Sequence, residues 1–423
     1  DQIESVFAKD LDNDGDMDIL SASNVDDKIA WYENDGTANP SFTARTISAS
    51  ADGARSVYVA DLDSDGDQDV ISASEYDNTV AWYENTTTPP ATISFSDDHI
   101  ETNATNANVV YASDINSDGK IDVLWGQDHT DGANDKIRWI EHNGADNLGW
   151  TNFHNITTNA NGVTSISTVD LDRDGDLDVL SASLDDNTVA WFESDGASSP
   201  SFTRRNISTN VDNAESAYAI DIDKDGDIDV VTAGRSSGVD LFKNNGSQSF
   251  TAQSIDTDYA NSVYALDLDA DGDNDIIAAN SNDNKVVWYE NNGNADSFTG
   301  RVISSYIDDV KDIFAIDLDR DGDIDIISAY ESLQWHENDG ASDPSFTTRT
   351  IYTAASNDAY GTVSIFATDM DKDGDVDILT ASTSQDLILW HKNNGSQNFT
   401  RHIVDYSSDG PRSVYAIDLD RDG

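Results

Sequence analysis

An acidic nine-residue loop returns along this chain, and its first complete copy reads Asp10-Leu11-Asp12-Asn13-Asp14-Gly15-Asp16-Met17-Asp18. Carboxylates at positions 1, 3 and 5 of such a loop converge on one side of a tight turn, and a glycine at position 6 lets the backbone reverse. Position 7 then offers its carbonyl oxygen, and an aspartate at position 9 closes a shell of the hard oxygen ligands that calcium prefers. The copies start at Asp10, Asp61, Asp114, Asp170, Asp221, Asp267, Asp317, Asp369 and Asp418, and the last stops at Gly423, before its positions 7 and 9.

The expected ligands follow copy by copy. They are Asp10, Asp12, Asp14, Asp16 and Asp18, then Asp61, Asp63, Asp65, Asp67 and Asp69, then Asp114, Asn116, Asp118, Lys120 and Asp122. The fourth and fifth copies supply Asp170, Asp172, Asp174, Asp176 and Asp178, and Asp221, Asp223, Asp225, Asp227 and Asp229. The last three complete copies supply Asp267, Asp269, Asp271, Asp273 and Asp275, Asp317, Asp319, Asp321, Asp323 and Asp325, and Asp369, Asp371, Asp373, Asp375 and Asp377.

The third copy tests this assignment. Lys120 at position 7 would ruin a site that used that side chain, but it is harmless if the backbone oxygen binds, and Asn116 still presents a carbonyl oxygen. An EF-hand would require glutamate at position 12. That position holds Ser21, Ser72, Trp125, Ser181, Thr232, Ala278, Ser328 and Thr380, so the EF-hand reading fails. A solvated acidic turn with no ion leaves eight regular complete copies unexplained. About eight calcium ions are therefore expected, with carboxylates at positions 1, 3, 5 and 9 and a backbone oxygen at position 7.

The loops recur every 46 to 56 residues, so one unit is repeated along the whole chain. In residues 56–103, Ser56-Val-Tyr-Val-Ala-Asp61 alternates and reads as a first strand running into the loop. Asp69-Val-Ile-Ser-Ala-Ser74 leaves the loop as a second strand, and Thr79-Val-Ala-Trp-Tyr-Glu84 makes a third. Turns such as Asn34-Asp35-Gly36, Asn245-Gly246 and Asn338-Asp339-Gly340 suit hairpins, because their residues tolerate positive φ. A fourth strand follows, as in Ser41-Phe-Thr-Ala-Arg-Thr-Ile47. Four short antiparallel strands per unit with no helix-period segment describe an all-β propeller, with eight blades expected and seven as the alternative.

Trp31, Trp82, Trp139, Trp191, Trp288, Trp335 and Trp390 share one third-strand position, with Leu241 there in the fifth repeat. They are read as filling the gap between blades rather than as sugar-stacking platforms. Arg45, Arg205, Arg301, Arg349 and Arg401 fall in fourth strands, and Arg55 and Arg412 precede first strands, which argues for structural roles. His336 and His391 replace the tyrosine after tryptophan and are read as packing variants. His99, His129, His142, His154 and His402 show no spacing of a metal or catalytic pair.

With 82 acidic against 23 basic residues, the formal charge is −59. Nucleic acid and anionic membrane surfaces are poor partners for such a chain. There is no cysteine, so calcium would have to act as the staple. Extracellular loops of this ligand type bind calcium with Kd of about 10⁻⁴ to 10⁻³ M, which points to an extracellular, secreted or cell-surface setting. No signal peptide and no long apolar segment is visible.

The Asp-x-Asp-x-Asp-Gly-x-x-Asp loop between two strands, followed by a Trp-Tyr-Glu-Asn third strand, resembles the FG-GAP/VCBS repeats of extracellular bacterial proteins. The same loop occurs in integrin α-subunit propellers. The resemblance spans essentially all 423 residues. It implies a calcium-bound β-propeller with the ions between strands one and two, and little about activity, since members serve as adhesins, lectins, surface or filament components and parts of polysaccharide-degrading proteins.

The expected function is a non-enzymatic extracellular scaffold, adhesion or filament-forming module with no catalytic residues, meeting other protein subunits or extracellular glycans. A lectin-like propeller is the alternative, supported by the insertion Trp125 to Lys136 in the third repeat with Trp150 and His154 beyond it. A polysaccharide lyase is the second alternative, disfavoured because a uronate polymer would be repelled by this charge. Residues 413–423 repeat residues 5–15 at eight of eleven positions and read as the surplus first strand of a ninth, truncated repeat of one 1–423 propeller domain. That strand is expected either to mark a longer array or to pair with a neighbouring molecule.

Overall fold

The computed structural model describes residues 3–9, 11, 18–24, 27–34, 42–62, 68–85, 95–101, 104, 106–127, 135–142, 150–280, 283–305, 310–329, 332–353, 362–370, 373–382 and 387–405. The ninth copy, 413–423, lies outside them, as do Arg412, His129 and most of the third-repeat insertion. The fold is an all-β propeller of eight sheets, each built from four consecutive antiparallel strands, and no helix occurs among the described residues. Blades 1 to 8 span residues 3–48, 54–101, 107–157, 163–208, 214–256, 260–304, 312–353 and 362–405. The eight-blade expectation holds. The chain groups into two compact units, one with blades 1, 2, 3 and 8 and one with blades 4 to 7.

Blade 6 illustrates the plan, with strands Ala260–Leu266, Asp275–Asn280, Lys285–Asn291 and Phe298–Ser304. The second strand is buried at every residue, and the third nearly so. A strand covered on both faces has no reason to alternate, which is why Asp275-Ile-Ile-Ala-Ala-Asn280 reads as a nearly continuous small and apolar run. The fourth strand is less covered, with Thr299, Gly300 and Val302 exposed and only its last two residues buried.

The tryptophans are buried, as expected: Trp31, Trp82, Trp139, Trp191, Trp288, Trp335 and Trp390 are all at most 2% exposed, and Trp31, Trp82, Trp191 and Trp288 each share an apolar cluster with the following blade. Trp288 joins Val310, Ile313 and Ile326 of blade 7 in one apolar cluster. Leu241 packs in the same way against Val263, Ile276 and Tyr289 of blade 6. Arg45, Arg205, Arg301 and Arg349 stand opposite their blade's tryptophan, with the guanidinium over the indole at 5.2 to 5.8 Å. Each also pairs with the third-strand glutamate two residues on: Glu33, Glu193, Glu290 and Glu337. These arginines are structural, and Arg55 likewise pairs with Glu75.

Arg401 departs from this pattern. The register sets it opposite His391 and places His402 against Trp390, with rings 4.7 Å apart. The sequence carries the signal: the other arginines lie three residues after the strand's phenylalanine, whereas Arg401 lies two after Phe399. His154 stacks on Trp139 at 4.5 Å in the same way, so two histidines with no assigned role stand in for arginine.

Candidate metal centre

Loops 3 to 7 are described in full. Of loop 1 only Asp18 among the expected ligands is described, of loop 2 only Asp61 and Asp69, and of loop 8 all but Asp371; Asp10, Asp12, Asp14, Asp16, Asp63, Asp65 and Asp67 lie outside the described residues. Each loop joins the first and second strands of its blade. Gly175, Gly226, Gly272 and Gly322 at position 6 have φ of 99 to 103°, the left-handed region that only glycine enters freely. Position 4 is left-handed as well, at Ser117, Arg173, Lys224, Ala270 and Arg320, a feature the sequence reading did not find.

Hydrogen bonds set the loop shape. One oxygen of the position-1 aspartate accepts from the glycine N–H at position 6, at 3.1 Å in Asp170, Asp221, Asp267 and Asp317. Position 3 accepts from the N–H of position 5, and position 5 from that of position 7, as in Asp269, Asp271 and Asp273. The other position-1 oxygen, Oδ1 of Asp170, Asp221 and Asp267, is buried with no hydrogen-bond partner. A buried carboxylate oxygen left unsatisfied is costly, and a cation is the partner its chemistry calls for.

The carboxylates do converge. Ligand atoms of Asp170, Asp172 and Asp178 lie within 4.8 Å of one another, and the same holds for Asp221, Asp223 and Asp225, for Asp267, Asp269 and Asp271, and for Asp317, Asp319 and Asp325. Positions 1 and 3 thus belong to all four groups, joined by position 5 or position 9. Loop 3 differs in its lysine: the Lys120 ammonium turns back to Asp118 Oδ2 at 3.2 Å, while both Asp114 oxygens accept from backbone N–H groups, as both Asp317 oxygens do in loop 7.

Position 9 has a second task. One oxygen accepts from the backbone N–H of position 2, and the other from the last residue of the third strand or the residue after it. For Asp275 the donors are Leu268 at 3.2 Å and Asn291 at 2.7 Å; for Asp325 they are Leu318 at 3.1 Å and Asn338 at 2.7 Å. The invariance of this aspartate therefore reflects a clamp between loop and sheet as well as a place in the acidic group. Burial pushes Asp178, Asp275 and Asp325 up to about 7 and Asp229 up to about 6, against the pull of those two N–H donors. A carboxyl so placed favours its neutral form until a positive charge arrives.

Position 7 shapes the turn after the third strand. A Cβ at Gly340 would come within 1.9 Å of the Asp323 carboxylate, which would have to move, and the φ of 62° there is in the left-handed region that favours glycine. Adjacent blades are stitched at the same place: the Asn291 side-chain amide donates to the Ile222 carbonyl of loop 5, and that of Asn338 to the Leu268 carbonyl of loop 6.

His336 and His391 are buried in the tyrosine register, as expected, with His336 bonded to Ser328 and Thr348 and His391 to Thr380. Burial depresses them to about 4 and about 3.

No curated protein matches the chain significantly. Among solved structures, it is similar to an Agrocybe aegerita lectin described as recognising non-reducing terminal N-acetylglucosamine. Identity is 16%, the match covers 82% of this chain and 93% of that one, and the TM-score is 0.51, a likeness of fold. The FG-GAP-like repeat profile matches residues 10–72, 61–125, 114–181, 170–232, 221–278, 267–328 and 369–423. With the acidic loop recurring in each matched segment, the chain belongs to the FG-GAP-like repeat family.

Proposed function

We propose that this protein is an extracellular, calcium-stiffened scaffold that serves adhesion or assembly and catalyses no reaction. The observation that carries the reading is the buried, unpartnered Oδ1 of Asp170, Asp221 and Asp267, each within a convergent three-carboxylate group. The donors are oxygens only, a set suited to a hard cation. Bound calcium would neutralise the carboxylates gathered in each loop. The chain's own part is to hold positions 1, 3 and 5 with backbone N–H groups and to anchor the loop to the sheet through position 9. Two strands and the hairpin turn of each blade would then be tied to one ion. The weak affinity usual for such extracellular loops supports a calcium-rich setting. Among the described residues no helix is long and apolar enough to cross a membrane. Calcium titration followed by calorimetry and by melting is the test, and an absence of binding would end the reading.

A glycan-binding role is the second reading. The named ligand of the similar lectin supports it, as does a cavity of about 270 Å³ beside Trp288, Arg301, Ser345 and Phe346. Retention of the protein on immobilised N-acetylglucosamine, lost in Phe346→Ala, is the outcome this reading expects. For the lyase alternative, a rise in ultraviolet absorbance on pectin, alginate or ulvan would overturn the non-enzymatic assignment.

A further inference from the structure

The residue two positions after the tryptophan register is glutamate in blades 4, 6 and 7, at Glu193, Glu290 and Glu337, and lysine in blades 5 and 8, at Lys243 and Lys392. This position lies beside the loop.

In blade 5 the sign is reversed. The Lys243 ammonium lies 3.0 Å from Asp223 Oδ2, 2.8 Å from the Asn294 carbonyl and 3.6 Å from Asp296 Oδ1, with its side chain 19% exposed. It therefore sits among three oxygens, one of them from a carboxylate of the acidic group. In blade 8 the lysine reaches a different aspartate of its loop, with Lys392 Nζ 3.5 Å from Oδ2 of Asp373 at position 5 and a side chain 16% exposed. The loops of blades 5 and 6 each also meet a cation from the loop before, Arg173 at 3.8 Å from Asp221 in blade 5 and Lys224 at 3.6 Å from Asp273 in blade 6, so the third-strand residue is what distinguishes them.

We propose that Lys243 and Lys392 are tethered cations that stand in for part of the metal charge, so that the loops of blades 5 and 8 hold their shape without calcium and bind it weakly. The glutamate-flanked loops of blades 4, 6 and 7 are then the tight sites. An ammonium beside the incoming divalent ion repels it about twice as strongly as it repels a unit charge at the same distance. It also occupies carboxylate lone pairs that the ion needs. As calcium falls, the molecule would empty its glutamate-flanked loops last, while the lysine-bearing loops would remain partly neutralised throughout. The inference rests on the calcium reading above.

Calcium titration of the full chain by calorimetry, with anomalous scattering from crystals grown at limiting calcium, provides the test. The expected result is two classes of site separated by about tenfold or more in Kd, with density in the loop of blade 6 before that of blade 5. Lys243→Glu, the residue of the neighbouring blades, should move one site into the tight class. Lys243→Met should tighten the same site and lower the melting temperature more in EDTA than in saturating calcium. Equivalent sites in the wild type, or an unchanged titration in both variants, would overturn the inference and leave the calcium reading standing. No ion in any loop would overturn the calcium reading and the inference with it.

Discussion

Blades 5 and 6 carry the same loop on the same backbone. Position 6 has a φ of 101° in one and 100° in the other, and their position-1 aspartates accept the same glycine N–H at 3.1 Å. Each receives a cation from the loop before it, Arg173 in blade 5 and Lys224 in blade 6, but their third strands differ in charge. Asp269 of blade 6 faces Glu290, whereas Asp223 of blade 5 holds the Lys243 ammonium. Blade 6 places Glu290 against Arg301, and blade 5 has Gln253 where that arginine would stand. Loop geometry is thus a property of the repeat, and loop charge is set by a side chain from another strand. A family of identical turns can in this way be given unequal electrostatics by one substitution outside the turn.

The largest effect tests what the two blades share. Chelation should lower the melting temperature by tens of degrees, because binding at a hundred times Kd stabilises by about 2.7 kcal/mol per site and several sites together rival the roughly 5 to 15 kcal/mol stability of an ordinary domain. An unchanged melt in EDTA would show the loops to be incidental. Removal of the position-9 clamp comes next. Asp275→Ala in blade 6 and Asp229→Ala in blade 5 strand two buried backbone N–H groups each and should both cost about 2 to 5 kcal/mol without calcium. Chemical denaturation in EDTA measures this, and a cost confined to blade 6 would break the claim that the frameworks are equal.

The third test sets blade 6 against blade 7, where Tyr289 gives way to His336 in the same register. The folded state holds His336 neutral down to about pH 4, while the unfolded chain protonates it near 6.5. The unfolded state therefore binds more protons between those values, and stability falls as pH drops through that window, by up to about 3 kcal/mol. His336→Tyr should flatten this acid limb in denaturation measured from pH 7 to 4, and an unaltered limb would place its origin elsewhere. The smallest effect converts one blade toward the other. Glu290→Lys should weaken the blade 6 site about tenfold in a calcium titration while changing calcium-saturated stability little, since the Arg301 pair it breaks is partly exposed and worth at most about 1 kcal/mol.

Much of the site was legible before any coordinates. The 1, 3, 5 and 9 spacing identified the acidic group, and Gly175 and its counterparts occupy the left-handed turn that position 6 requires. The double duty of position 9 was not legible, because its second donor, Asn291 for Asp275, arrives from the far end of the third strand, 16 residues on. Nor was the return of Lys120 to Asp118, since the spacing shows only that the side chain is not needed as a ligand. Arg401 does lie in the fourth strand, but that its register differs by one residue from the other arginines was not read from the sequence.

Local repetition determined the repeat length, the four-strand blade, the loop that joins the first two strands and the acidic character of that loop. These follow from alternation, turn chemistry and spacing, which act between residues close in the chain. Tertiary structure decided the rest: that His154 and His402 take an arginine's place over an indole, and that a lysine on the third strand reaches the loop before the second. Each depends on which surface lies opposite a side chain once strands pair and blades stack, and that is settled by packing across tens of residues.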